Sequence, residues 1–253
     1  MVEALKRNET AMSPATARAC AKTCFAAFGL LAAAAFCQAE VAPPVSKNDG
    51  AWTRAIVKIE VPIVRSVNGY PRHFLERCSG TIVSPGPFPL VISAWHCFEG
   101  HNAMSSPVTL QTGAGPTAIE LVASGGSMDE DWALLRSTSK WWPGKWIPVS
   151  QVRVPRGSRV SAAGFSRPSG SIALESDDSP ERILTIDEDC HVTLTSSKPL
   201  ASSCAIQKGA SGGAILGRTQ SGSLRLYGVI SAGDGTNVSY FYPADLLSPL
   251  IRP

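Results

Sequence analysis

Residues 78–97 read CSGTIVSPGPFPLVISAWHC. Two apolar runs, Gly80–Ser84 and Leu90–Ala94, flank the turn-forming PGPFP. Val and Ile fit a pleated, half-buried surface, so both runs read as strands. A histidine, His96, closes the second run, and a cysteine stands at each end of the stretch. A lone histidine at a strand end is more often structural or exposed than functional, so these residues need company to carry chemistry.

The same texture continues in both directions. Short apolar segments closed by Gly, Pro, Ser or Asn recur at Ala55–Ile63, Thr109–Gln111, Trp132–Arg136, Arg159–Gly164, Ile183–Ile186, Ala214–Leu216 and Leu224–Ser231. No long 3.6-residue period follows residue 40, and the one helical candidate is short, near Pro243–Leu250. The expectation is an all-β chain, a sandwich or barrel architecture. Around 140–158 the texture changes, to WWPGKWIPVSQVRVPRG at 141–157. This Pro-containing, aromatic stretch divides the chain into domains expected at 53–148 and 149–253.

Composition narrows the function classes. Of 253 residues, 44% are hydrophobic and only 17% charged, too apolar for a disordered chain. The 22 Gly and 19 Pro are too many for a helix bundle. Formal net charge is +3, and no Lys/Arg run exists outside the N-terminus. Nucleic-acid binding therefore has no electrostatic footprint.

Residues 1–39 read as a secretory signal peptide. Arg18 and Lys22 precede CFAAFGLLAAAAFC, residues 24–37, and Cys37-Gln38-Ala39 supplies small residues where signal peptidase needs them. The apolar run is shorter than the roughly 20 residues of a membrane span. Residues 40–52 are expected as a short pro-segment or flexible arm, and the mature protein as secreted or periplasmic. Export leaves four of the seven cysteines, Cys78, Cys97, Cys190 and Cys204. An even number in an exported chain implies two disulfides, with three pairings open. No CxxC or HxxxH spacing supports a metal site, and no cofactor is implied.

Two more stretches matter. Asp129-Glu130-Asp131 stands directly before the apolar Trp132-Ala133-Leu134-Leu135. Lys208-Gly209-Ala210-Ser211-Gly212-Gly213 sets a serine among glycines. Such backbone bends tightly and aims successive N–H groups at one point, as an oxyanion hole requires.

Taken in order, CSGTIVS, SAWHC, DWALL and GASGG resemble the chymotrypsin-like (trypsin-like) serine endopeptidases, in particular their compact bacterial branch. The resemblance spans about 53–250. It implies two six-stranded antiparallel β-barrels, a short C-terminal helix, and a site in the cleft between the barrels. It implies that Ser211 is the nucleophile, His96 the general base and acid, and Asp131 the residue that orients the imidazole. The backbone N–H groups of Gly209 and Ser211 match the oxyanion hole. The resemblance also pairs Cys78 with Cys97 and Cys190 with Cys204. His73, His101 and His191 match no motif position. The partners implied are protein or peptide substrates, and the protein is expected as a monomer.

The chain departs from the family pattern in places. Animal members carry an acid before the nucleophile to receive a new N-terminus. Ala210 stands there, so activity is expected not to depend on burying one. Counting without gaps puts Ala205 at the base of the specificity pocket, where trypsin has an acid. Ser231-Ala232-Gly233 resembles the strand that pairs with the substrate backbone. Ala232 replaces a common large aromatic, and Ile230 a histidine of glutamate-specific relatives. Small or apolar side chains before the cut are expected, although Asp234 could enter the pocket through a shifted loop. The alternative is a catalytically inactive binding protein of the same fold.

Overall fold

The computed structural model describes residues 45, 46, 48, 50–102, 106–112, 115–141, 144–167 and 181–251. The signal peptide expected at 1–39 lies outside them.

Twelve strands form two closed barrels. The first contains β1 (Ile56–Val67), β2 (Tyr70–Ile82), β3 (Leu90–Ser93), β4 (Val108–Thr112), β5 (Gly115–Ser124) and β6 (Ala133–Ser137). The second contains β7 (Arg159–Ser166), β8 (Ile183–Leu194), β9 (Leu200–Ser202), β10 (Ala214–Arg218), β11 (Leu224–Gly233) and β12 (Ser239–Pro243). Around the first barrel the order is β1-β2-β3-β6-β5-β4, and around the second β7-β8-β9-β12-β11-β10. Each is the same cyclic path, although the sequence shows no repeat. All pairings within the barrels are antiparallel, and closure comes from β1 with β4 (Ile59 opposite Leu110) and β7 with β10 (Ala163 opposite Ala214). Closure removes the free edges that an open sheet would expose.

Strand residues alternate between core and surface. Ile59, Val61 and Ile63 of β1 point inward with Ile82, Val91, Leu110 and Leu135, all nearly inaccessible to solvent. The second barrel encloses Val160, Ala162, Val192, Leu200, Ile215, Ile230 and Phe241. The apolar cluster of the first barrel continues into Ala163, Ala214, Leu216, Val229 and Tyr242. The two barrels therefore share packed surface along one seam. The crossing between them is held by Ile147 N–H on Ile82 O, and by Leu226 N–H on Pro148 O.

Several elements differ from the sequence expectation. β2 begins at Tyr70 rather than near Gly80, because Asn68 (φ +54°) and Gly69 (φ +81°) make a two-residue hairpin turn. Residues Tyr70–Leu75 are exposed, Tyr70, Phe74 and Leu75 included, so they form no alternating buried face. β5, β9 and β12 were not expected; β5 has only one buried residue, and β9 only three residues in all. The C-terminal helix, Ala244–Leu250, is a 3-10 helix. Within the stretch expected as a pro-segment or arm, Val45 is buried, and its carbonyl accepts the Ser161 hydroxyl at 2.9 Å. Trp52 Nε1–H donates to Ser46 O at 2.8 Å. This part of the chain is thereby fastened to β7.

Both disulfides form as the resemblance implies, Cys78–Cys97 and Cys190–Cys204, 19 and 14 residues apart. Each closes a loop whose cross-linking contributes about 3 kcal/mol in the chain-entropy picture. Replacing Cys190 and Cys204 by alanine together is expected to lower unfolding free energy by about 3 kcal/mol. Urea denaturation of the two proteins side by side measures it.

Candidate active site

β3 ends at Ser93, and Ala94 continues it in extended conformation. The chain then tightens into a 3-10 helix, Trp95–Phe98, that carries His96. His96 is thus one turn beyond the strand rather than at its end. The bond from Cys97 to Cys78 on β2 anchors that turn beside the imidazole. Cys78, His96 and Cys97 bring two sulfurs and a ring nitrogen together. Both sulfurs are spent in the S–S bond, so this is no thiolate set for a metal.

Asp131 lies two residues before β6 and is 1% exposed. Its neighbours Asp129 and Glu130 are exposed, so the acidic stretch divides into two solvated residues and one buried one. The carboxylate holds His96 at two points. Oδ1 accepts the His96 backbone N–H at 2.9 Å, and Oδ2 lies 2.8 Å from ring Nδ1. A carboxylate oxygen can only accept, so Nδ1 carries a proton, and in the neutral ring the lone pair is then on Nε2. The Ser231 hydroxyl, from β11 of the second barrel, also donates to Oδ2.

Burial raises the Asp131 pKa. The hydrogen bond and charge of His96, the Ser231 hydroxyl and the His96 backbone N–H together outweigh it, so the carboxyl sits below its ordinary range. A depressed folded-state pKa stabilises the fold fully above the ordinary carboxylate range of about 4, and that contribution is lost as pH falls below it.

Ser211 stands in the turn before β10. Four carbonyls of this loop are engaged. Lys208 O accepts Arg167 N–H, Gly209 O the Ser79 hydroxyl, Ala210 O the Gly213 N–H, and Ser211 O the Ser79 N–H. The N–H groups of Gly209 and Ser211 have no acceptor among the described residues. Gly209 has φ +101° and Gly212 φ +81°. A Cβ on Gly212 would lie 2.2 Å from Ser93 Oγ and 2.3 Å from Ser79 O, so only glycine lets this loop rest on the first barrel. The Ser211 hydroxyl turns toward Ser231 O, 3.4 Å away, and does not hydrogen-bond His96. His96 Nε2 lies 3.8 Å from Cys97 Sγ.

Beside Ser211 a pocket of about 460 Å³ opens between two walls. Ile206, Gln207 and Lys208 line one, and Ser231, Ala232 and Gly233 the other, with Asp234 and Gly235 beyond. Ala205 is outside this lining. It is exposed, and its N–H donates to Asp187 Oδ2 at 2.7 Å. The wall begins one residue later, at Ile206. Asp234 accepts the N–H groups of Thr236, Asn237 and Val238 on Oδ1, at 2.8, 2.9 and 3.0 Å. These bonds hold its carboxyl well below the ordinary range and turn it toward its own loop.

The family model described as Trypsin matches residues 56–244. The chain belongs to the trypsin family. It is a serine endopeptidase. Two solved structures share the fold. A thermostable serine protease AL20 from an extremophilic microorganism is 20% identical, with 76% of this chain and 92% of that one covered, at a TM-score of 0.54. The Rv3671c protease of M. tuberculosis, in its active form, is 18% identical, with 83% and 86% covered, at 0.56. A search of curated proteins returns no significant match.

Of the remaining histidines, His73 and His191 are exposed, and His101 Nδ1 bonds Pro62 O at 2.8 Å. Two residues were invisible to sequence reasoning. Arg182, 8% exposed, donates to Cys78 O at 2.9 Å and Ile59 O at 3.4 Å. Desolvation pulls its pKa down to about 10, so it stays charged at neutral pH. Ser79 is the other, and its sequence context is an ordinary strand.

The advantage of the parent protein over Asp131→Asn in urea-denaturation free energy is expected to be larger at pH 7 than at pH 3. An advantage that grew in acid would contradict the depressed pKa.

Proposed function

We propose that this endopeptidase cuts peptide bonds with Ser211, His96 and Asp131, through an acyl-enzyme. The observation that carries the reading is the two-point hold of Asp131 on His96, which fixes the tautomer a general base needs. On substrate binding, Ser211 Oγ leaves the Ser231 carbonyl and donates to His96 Nε2. Catalytic hydrogen bonds are often loose in a free enzyme and tighten with substrate. The Ser211 oxygen bonds to the scissile carbonyl carbon while its proton passes to Nε2. The developing oxyanion takes the N–H groups of Gly209 and Ser211, which have no acceptor among the described residues. As the C–N bond breaks, Nε2 returns the proton to the leaving amine. Water then repeats the sequence and releases the acid and Ser211.

The substrates are proteins or peptides with small or apolar side chains before the cut. Ile206 lines the pocket, Ala232 adds no aromatic ring, and Asp234 is occupied by its own loop. Export to an oxidising compartment fits the sequence of 1–39 and two disulfides. Among the described residues no helix is long and apolar enough to cross a membrane.

Intact-mass analysis after treatment with a fluorophosphonate tests the nucleophile. One adduct on the parent protein, absent from Ser211→Ala, is expected; a parent protein that stays unlabelled would refute the reading. Asp131→Asn is expected to lower kcat by about 10⁴. A peptide library is expected to show cleavage after small or apolar residues, and dominant cleavage after Arg or Lys would overturn the assignment of the pocket.

A further inference from the structure

The nucleophile loop belongs to the second barrel, yet two of its carbonyls are held from the first. Both are held by one residue, Ser79 of β2. Its backbone N–H donates to Ser211 O at 2.7 Å. Its hydroxyl donates to Gly209 O at 2.9 Å and accepts the Phe165 N–H of β7 at 2.8 Å. Its own carbonyl accepts the Ser93 hydroxyl at 2.8 Å, three residues before His96. Ser79 is fully buried, so none of these bonds can be replaced by bulk water.

The two held carbonyls alternate with the two N–H groups that would meet the oxyanion. Gly209 O belongs to the peptide unit that joins Gly209 to Ala210, between the unit carrying the Gly209 N–H and the one carrying the Ser211 N–H. A peptide unit is planar, so holding its oxygen fixes its rotation. Gly209 itself is at φ +101°, in a region open to glycine, and the other end of this unit is tied only within the loop, Ala210 N–H on Gln207 O at 3.1 Å. Ala210 buries its methyl in the core of the second barrel but offers the loop no side-chain hydrogen bond. The hydroxyl of Ser79 takes that part from outside.

We propose that the Ser79 side chain is a positioning residue for the reaction: it holds the 209–210 peptide so that the N–H groups of Gly209 and Ser211 converge on the developing oxyanion. It touches neither substrate nor the reacting atoms. This rests on the reading of Ser211 as nucleophile and deepens it. It also places the alignment of the oxyanion donors under control of the barrel seam, because the same residue ties the loop to the strand that leads to His96.

Ser79→Ala and Ser79→Gly both remove the hydroxyl and keep the backbone N–H on Ser211 O. Each is expected to lower kcat for a peptide substrate and the rate of fluorophosphonate labelling about ten- to a hundredfold. That is less than the 10²–10³ lost with a direct oxyanion donor. KM is expected to stay within about threefold, the mark of an interaction realised in the transition state. The pH profile of kcat/KM should not move, since the Asp131–His96 contact is untouched. Hydrogen exchange at the bonded amides of Ala210, Gly212 and Gly213 should quicken. Ser161→Ala, which removes another buried hydroxyl, bonded to Val45 O, is expected to leave kcat unchanged.

Folded Ser79 variants with unchanged kcat and unchanged exchange at 210–213 would overturn the proposal. So would a rise in KM alone, or a failure of both variants to fold, which would assign Ser79 to the scaffold. A parent protein that is not labelled at Ser211 would refute the catalytic reading instead, and the exchange measurement would still decide whether Ser79 orders the loop.

Discussion

A carboxylate with almost no access to water must find its own partners, and Asp131 finds them on both barrels. Removing such a charge from water costs several kcal/mol unless it is fully hydrogen-bonded. Three donors meet that cost: the ring and backbone of His96 from the first barrel, and the Ser231 hydroxyl from the second. The carboxylate can be satisfied only where the 3-10 turn at Trp95–Phe98 and the end of β11 come together. Its burial therefore ties the two barrels together at this point and orients the histidine ring.

Around that contact the seam is built from small residues and short polar bonds. Gly212 lies so close to Ser79 and Ser93 that no side chain fits between them. The Cys78–Cys97 bridge, the Arg182 guanidinium and the Ser79 hydroxyl all converge on the same few residues of β2. Apolar packing closes each barrel and continues across the seam, and polar contacts of fixed length add to it. Such contacts tolerate little displacement.

The pocket follows different physics. Its walls are the short segment after Cys204 and the end of β11, and its charges are disposed by loop hydrogen bonds rather than by burial. Asp234 lines the space, yet three N–H groups of its own loop claim one of its oxygens. Gln207 is likewise drawn across to Gly235 O at 2.7 Å. Side-chain identity alone says little about such a pocket, because a loop can turn a charge away from the space it borders.

The sequence by itself determined the fold class, the order of most strands, and the residue types that carry the chemistry. It could do so because alternating Val and Ile, turn-forming Gly and Pro, and three short motifs are local signals. Disulfide pairing came from resemblance, and the structure has both bonds. Tertiary structure decided the rest. The exposed half of β2 and the scarcely buried β5 are held by partner strands rather than by their own patterns. Asp131 differs from Asp129 and Glu130 only in where the chain buries it. Ser79 reads as one more strand residue, and its contacts lie some 130 positions away in the chain. Ala205, reached by counting alone, lies outside the lining of the pocket beside Ser211. Each of these depends on contacts between distant segments, and those exist only once the two barrels have closed and met.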